Sequence, residues 1–357
     1  MQNPRSLFKK IILGIFTIAF MALVTFTSKH ISSSQPLDKT LSQNELTTLP
    51  HFVQPAGNLQ LLVEPDNTTS PVISLINNAK QSIDVTMYEF DDKEISDALI
   101  AAQKRGVTVR VNLNKGYDGQ INPMELATKN YLETGGVSVH YTPNYFALTH
   151  QKTITVDHRA SLIMTFNWVS KYYVTGRDFG ILDNDQNDVT AIEDTFDADW
   201  NNKTIASQNG DDLLWSPGAE TAMVSIINSA TKTLDVYNEE MADDTITDAL
   251  ISAEKRGVSV RVTMTYSTNY KPSFIKLVSG GVNLKTYSSS SKQLYIHAKM
   301  ILADNNYAYL GSQNFSFYSL EKNRELGIFI TEPSILSQLE KVFDQDYTGA
   351  RVYNIPR

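Results

Sequence analysis

A histidine and a lysine alternate along one face of an apolar run in "IHAKMILADNNYAYLGSQNF", residues 296–315. His297 and Lys299 are two positions apart, so a strand would place them on the same side. Ile296, Met300, Ile301 and Leu302 around them have the character of core. A titratable base beside a fixed cation suits proton transfer, or attack, at a group whose negative charge the cation offsets. Asp304 follows on the same segment, Asn314 comes ten residues after it, and Glu325 in "NRELGI" eleven after that. Residues 149–168, "THQKTITVDHRASLIMTFNW", repeat the pattern with His150, Lys152, Asp157 and Asn167, and Asp178 follows in "GRDFGI". One such spacing is a weak signal. Two copies, each with its asparagine and carboxylate at the same distance, are a strong one.

The pattern resembles the mark of the phospholipase D superfamily, HxKxxxxD followed by GSxN. The second copy, "HAKMILAD" then "GSQNF", carries it throughout, and the first has Met164 and Thr165 where the second has Gly311 and Ser312. Thr165 and Ser312 each bring a hydroxyl. The resemblance spans residues 59–350 and implies phosphodiester cleavage, with the two histidines facing each other across one phosphate. It further implies that His150 attacks phosphorus to form a phospho-histidine. His297 then protonates the leaving alcohol and deprotonates the water or alcohol of the second step. The near-identity of the copies does not by itself say which histidine attacks. Lys152, Lys299, Asn167 and Asn314 are donors suited to the phosphate oxygens. The two lysines can supply the charge that a metal supplies elsewhere, so no cofactor is expected. Asp178 and Glu325 are suited to accept the second ring N–H of the histidines and fix their tautomers. Asp157 and Asp304 read as holders of local structure.

A duplication must position these groups. Residues 73–112 and 224–263 align at an offset of 151, with Asp84 on Asp235, Glu89 on Glu240, "DALI" on "DALI" and "KRGVTVRV" on "KRGVSVRV". A period this long is a duplicated domain. Each half reads as a helix, a strand, an amphipathic helix (Ile95, Leu99 and Ala102 on one stripe), a glycine stop at Gly106 and another strand. Strands alternating with helices predict two α/β sandwich halves with mixed, largely parallel sheets related by a pseudo-twofold axis. The halves span residues 59–200 and 213–350, joined by a linker at 201–212 and preceded by an irregular lead-in at 36–58. A chain with both motifs predicts a monomer whose site is pseudo-dimeric.

Residues 1–35 run basic, apolar, polar, the order of an exported protein's signal peptide or of an uncleaved N-terminal membrane anchor. The absence of cysteine excludes disulfides, thiolate metal sites and a cysteine nucleophile. Asn314-Phe315-Ser316 is a glycosylation sequon on a site residue, which argues for a bacterial source. The net charge is −8, and the chain after residue 35 holds 27 basic against 39 acidic residues. That balance fits a nonspecific nucleic-acid binder poorly. Tyr141, Tyr145, Phe146, Trp168, Tyr172 and Tyr173 crowd one motif, and Tyr295, Phe315, Phe317 and Tyr318 the other. The leading expectation is therefore a phospholipase D acting at a phospholipid surface. A secreted nuclease of the same superfamily and a non-catalytic phosphate- or lipid-binding protein are the rivals. One acidic stretch, "DNDQNDVTAIED", spaces Asp183, Asp185, Asn187 and Asp194 like a calcium loop, though without its glycine, and raises a regulatory calcium site against a plain surface turn.

Overall fold

The computed structural model describes residues 59–116, 120–206, 210–290 and 292–356; the signal or anchor segment and the lead-in lie outside them. The first half runs β1 (Leu59–Glu64), α1 (Ser70–Asn78), β2 (Ser82–Met87), α2 (Lys93–Lys104), β3 (Thr108–Leu113), α3 (Pro123–Thr134), β4 (Ser138–Tyr141), β5 (Thr153–Val156), β6 (Ala160–Met164), β7 (Gly176–Asp183) and α4 (Gln186–Trp200). The second runs β8 (Leu213–Ser216), α5 (Glu220–Ser229), β9 (Thr233–Tyr237), α6 (Asp244–Lys255), β10 (Ser259–Thr265), α7 (Lys271–Ser279), β11 (Asn283–Tyr287), β12 (Tyr295–Ile296), β13 (Lys299–Ala303), β14 (Tyr307–Gly311), α8 (Phe317–Glu321), β15 (Glu325–Ile330), α9 (Pro333–Gly349) and β16 (Arg351–Val352).

Local chemistry explains the repeated helices. Asp92 and Asp243 cap α2 and α6 by accepting the N–H of Ile95 and Ile246, three residues on. Both helices stop at glycines with positive φ, Gly106 and Gly257. The stripe of Ile95, Leu99 and Ala102 is wholly buried against the sheet. Asp84 and Asp235 each receive a two-pronged hydrogen bond from an arginine of the next strand, Arg110 and Arg261.

The duplication is visible strand by strand. One sheet has the order β1-β7-β6-β5-β2-β3-β4, and the other β16-β11-β10-β9-β13-β14-β15-β8. The sheets are mixed as expected, but not largely parallel. In each half the parallel pairs are the two made by the helix crossovers, β2–β3–β4 and β9–β10–β11. From β5 or β13 onward the strands return as antiparallel hairpins. The motif segments lack room for helical crossovers: Val156 and Ala160, like Ala303 and Tyr307, pair across three-residue turns.

Each half has its own core, and a third cluster joins them. It gathers Ile163, Phe179 and Ile181 of the first sheet, Tyr237, Met300, Leu310 and Ile328 of the second, and Ile192, Leu339 and Phe343 from α4 and α9. The halves also exchange backbone. The two-residue strand β12 leaves its own sheet to pair in parallel with β7 of the other.

Candidate active site

That exchange places the histidines. His297 follows β12, and its N–H donates to the carbonyl of Arg177, 3.2 Å away in the first half. The N–H of His150 donates to the carbonyl of Arg324, 2.9 Å away in the second. Arg177 and Arg324 immediately precede Asp178 and Glu325, so each histidine is stitched to the strand that carries the opposite half's carboxylate. Nδ1 of His150 lies 2.8 Å from Oε2 of Glu325, and Nδ1 of His297 lies 2.8 Å from Oδ1 of Asp178. Both contacts direct the Nδ1 edge to a carboxylate and turn Nε2 toward the site.

The carboxylates are themselves held. The Thr165 hydroxyl donates to Oδ1 of Asp178 at 2.5 Å and accepts the N–H of Phe179. Ser312, its counterpart, accepts the N–H of Leu326. Met164 at the first copy's glycine position thus leaves the hydroxyl's work intact. Ser319 and Asn323 donate to Oε1 of Glu325. Behind the stitches stand two buried ion pairs across the halves: Arg177 with Asp346 of α9 (2.6 Å), and Arg324 with Asp199 of α4 (2.9 Å). Tyr237 adds its hydroxyl to Asp346 at 2.7 Å.

Lys152 and Lys299 are buried, and each Nζ donates to the carbonyl of the histidine two residues before it, at 2.6 Å. Burial pushes the Lys152 ammonium down to about 7, with the charge of Lys299 adding to the effect. Burial likewise pushes His150 down to about 4, outweighing the upward pull of Glu325. His150 is therefore a neutral base with its proton on Nδ1 at ordinary pH. Although burial opposes it, the neighbouring His150 holds the Glu325 carboxyl below its ordinary range.

Asn167 and Asn314 sit on the loops after β6 and β14, nearly buried, and the Oδ1 of each finds no protein partner among the described residues. Nδ2 of Asn167 lies 3.4 Å from Glu89. A narrow cleft brings Asn167, Tyr172, Tyr173 and Asp178 of one half against His297 of the other. Asp157 and Asp304 stand apart from it at the hairpin turns, with φ of 53° and 56°. Their carboxylates accept backbone N–H groups of residues 80–82 and 231–233, which lead into β2 and β9.

The calcium-like stretch folds differently from the expected loop. Asp183 ends β7, Asp185 caps α4 by accepting the N–H of Asn187, and Asp194 lies within that helix. A helix carries the last position away from the others. Among the described residues no group of three or more His, Asp or Glu side chains could hold a metal ion. Burial raises Asp183 to about 8.

Several site residues escaped the sequence reading. The arginines of "GRD" and "NRE" were visible as a shared flank, but their partners on distant helices were not. Glu239 also went unnoticed. Its Oε2 is 3.0 Å from Nζ of Lys299 and 3.4 Å from Nε2 of His297.

A family model described as "Cardiolipin synthase, PLD-like domain" matches residues 72–200 and again 223–347. The chain belongs to the phospholipase D superfamily. Its similar proteins within reach of that family include the cardiolipin synthase of Listeria monocytogenes serotype 4a, 23% identical over 339 residues, covering 81% of this chain and 69% of that one. Cardiolipin synthase 1 of Staphylococcus epidermidis strain ATCC 35984 is 24% identical over 349 residues, covering 84% and 70%. Among solved structures, the phosphatidylserine synthase of Haemophilus influenzae Rd KW20 superposes with a TM-score of 0.68 at 15% identity, covering 87% of this chain and 90% of that one. The polyphosphate kinase of Porphyromonas gingivalis gives 0.63 at 14%, covering 80% of this chain and 46% of the kinase. At such identities these two structures show the shared fold.

Proposed function

We propose that this phospholipase D-superfamily chain is an enzyme that cleaves a glycerophospholipid at the head-group side of its phosphate. It then passes the phosphatidyl group to water or to an alcohol. The observation that carries the reading is the cross-half tethering: two histidines, each oriented by the other half's carboxylate, with a buried lysine beside each. Nε2 of His150 attacks phosphorus, forming an N–P bond as the P–O bond to the head group breaks and His297 protonates the departing oxygen. His297 then deprotonates the incoming water or alcohol, whose oxygen displaces His150. Lys152, Lys299, Asn167 and Asn314 donate to the phosphate oxygens as charge builds on them.

Two observations support lipid over nucleic acid. The chain is acidic overall, with a net charge of −8. The segments that follow Asn167 and Asn314 expose apolar side chains: Val174 is 79% exposed, Phe317 52% and Tyr318 65%. Transfer to an alcohol has its own support, since the cardiolipin and phosphatidylserine enzymes named above are synthases. The basic-apolar-polar start suits an exported or membrane-anchored bacterial enzyme working at a bilayer surface, and the presence of both motifs in one chain suits a monomer. Among the described residues no helix is long and apolar enough to cross a membrane.

The test offers the purified protein mixed phospholipid vesicles and plasmid DNA side by side, with His150→Asn as control. Lipid turnover that the substitution abolishes, with DNA intact, is the expected result. Nicked DNA with intact lipid would instead make the chain a nuclease, and neither reaction would leave a binding protein.

A further inference from the structure

The two halves correspond at histidine, lysine and carboxylate, but not at the residue facing each histidine–lysine pair. The offset of 151 that matches Asp84 with Asp235 matches Tyr88 with Glu239. The Tyr88 ring meets the His150 ring edge-on, with centroids 4.5 Å apart, and Nζ of Lys152 stands 5.0 Å from its centre. In the other half a carboxylate takes that place. Oε2 of Glu239 faces both Lys299 and Nε2 of His297, while the Tyr295 hydroxyl donates to Oε1 at 2.6 Å. Although burial opposes ionisation, Lys299 and His297 hold this carboxyl well below its ordinary range.

The consequence for the two rings is opposite. Both ring nitrogens of His297 face a carboxylate, Asp178 at Nδ1 and Glu239 at Nε2. A phosphodiester anion approaching Nε2 of this ring therefore meets the Glu239 carboxylate first. Nε2 of His150 faces no carboxylate among the described residues, and its lone pair is available. Duplication alone would leave the two histidines in like surroundings; here Tyr88 stands beside one and Glu239 beside the other.

We propose that Glu239 is a positioning residue that breaks the twofold equivalence of the site. By facing Nε2 of His297 it withholds that ring from attack and keeps it as the proton donor, so that His150 alone becomes phosphorylated. The proposal rests on the phosphodiester reading and adds a direction to it. The alcohol leaves from, and enters on, the Glu239 side. There a cavity of about 380 Å³ opens, walled by Glu239, Tyr266, Tyr270 and Tyr295 with the hydroxyls of Thr265 and Ser267. Among the described residues that line it there is no lysine or arginine. A carboxylate and several hydroxyls suit a neutral or cationic alcohol rather than a second anion.

The test uses bis(4-nitrophenyl) phosphate, whose leaving group needs no proton, so a single histidine can form the covalent adduct without its partner. His297→Asn retains only His150 and should release about one nitrophenolate per enzyme in a burst, with the label on His150. His150→Asn retains only His297 and should give less than about a tenth of that burst while Glu239 is present. Adding Glu239→Gln to His150→Asn should restore the burst and place the label on His297, whereas adding Glu239→Asp should not. A merely structural Glu239 would not move the label between histidines. The proposal is overturned by a full burst from His150→Asn alone. It is equally overturned if His150→Asn with Glu239→Gln stays silent although it is folded by circular dichroism and His297→Asn with Glu239→Gln reacts. No burst from the wild type or from His297→Asn would overturn the covalent reading itself, and this proposal with it.

Discussion

Asp304 belongs to the HxKxxxxD motif, yet the structure gives it work at a distance from the chemistry, and substitution can separate the two roles. Its carboxylate accepts from the N–H groups of Thr231, Lys232 and Thr233 at 2.9, 2.7 and 2.9 Å, and from the Thr231 hydroxyl at 2.7 Å. The group is partly exposed, so each bond is taken at the screened end of the usual range, about 0.5–1 kcal/mol, and the four together at about 2–4 kcal/mol. Asp304→Ala should remove all of that and strain a backbone at φ 56° besides. Asp304→Asn tolerates that φ and keeps one acceptor, so it should cost about half as much. At about 2–4 °C per kcal/mol, the alanine variant should unfold roughly 4–16 °C below the wild type. Those hydrogen bonds hold the Asp304 carboxyl below its ordinary range, against a burial that acts the other way. A depressed carboxyl stabilises the fold above its unfolded value, about 3.9, and that contribution is lost as pH falls through the lower folded value. The gap between wild type and Asp304→Asn should therefore close in strong acid. Thermal unfolding across pH reads this, and initial rates on folded protein at 25 °C should stay within about threefold of wild type. If Asp304→Asn lost about 100-fold in rate with its melting temperature unchanged, the aspartate would be part of the chemistry and this account of it wrong.

Other outcomes follow from the same geometry. His150→Asn and His297→Asn should each abolish phospholipid turnover, and the double variant should be scarcely worse than either, because the two rings act as one unit; strictly additive losses would argue for separate sites. Asp199→Ala should leave Arg324 charged and unpaired in the interior, costing about 3–5 kcal/mol in urea unfolding. Turnover should fall with it, since the Arg324 carbonyl anchors His150. Rates at low substrate should decline below about pH 4, where His150 gains its proton, and above about pH 7, where Lys152 loses its own; a profile flat from pH 6 to about 9 would contradict the role given to Lys152.

Much of the fold was legible because duplication writes each signal twice. The α2 stripe, the stop at Gly106 and the aspartate caps are local features, and local features survive in sequence. The antiparallel returns were misjudged because a buried central strand such as β7, "GRDFGILD", shows no alternation to mark its neighbours. The spacing of Asp178 and Glu325 pointed to histidine partners, but which carboxylate meets which histidine depends on β12 crossing to the other sheet, and a two-residue strand leaves almost no trace in sequence. The acidic stretch at 183–194 was ambiguous because the residues that ligate calcium also cap helices. Glu239 was visible in principle: aligning "DVTMYEF" with "DVYNEEM" sets a tyrosine against a glutamate, though only the fold shows that both face a histidine.

The central claim is that one phosphatidyl group passes through a covalent histidine adduct at a site shared by both halves. The most direct measurement is product partitioning from phosphatidylcholine vesicles across a titration of butanol, with phosphatidic acid and phosphatidylbutanol separated by mass spectrometry. A common intermediate predicts that phosphatidylbutanol rises at the expense of phosphatidic acid as butanol increases, with configuration at phosphorus retained after two inversions. Choline release with no phosphatidylbutanol at any butanol concentration would mean that water attacks the diester directly, and would contradict the phospho-histidine.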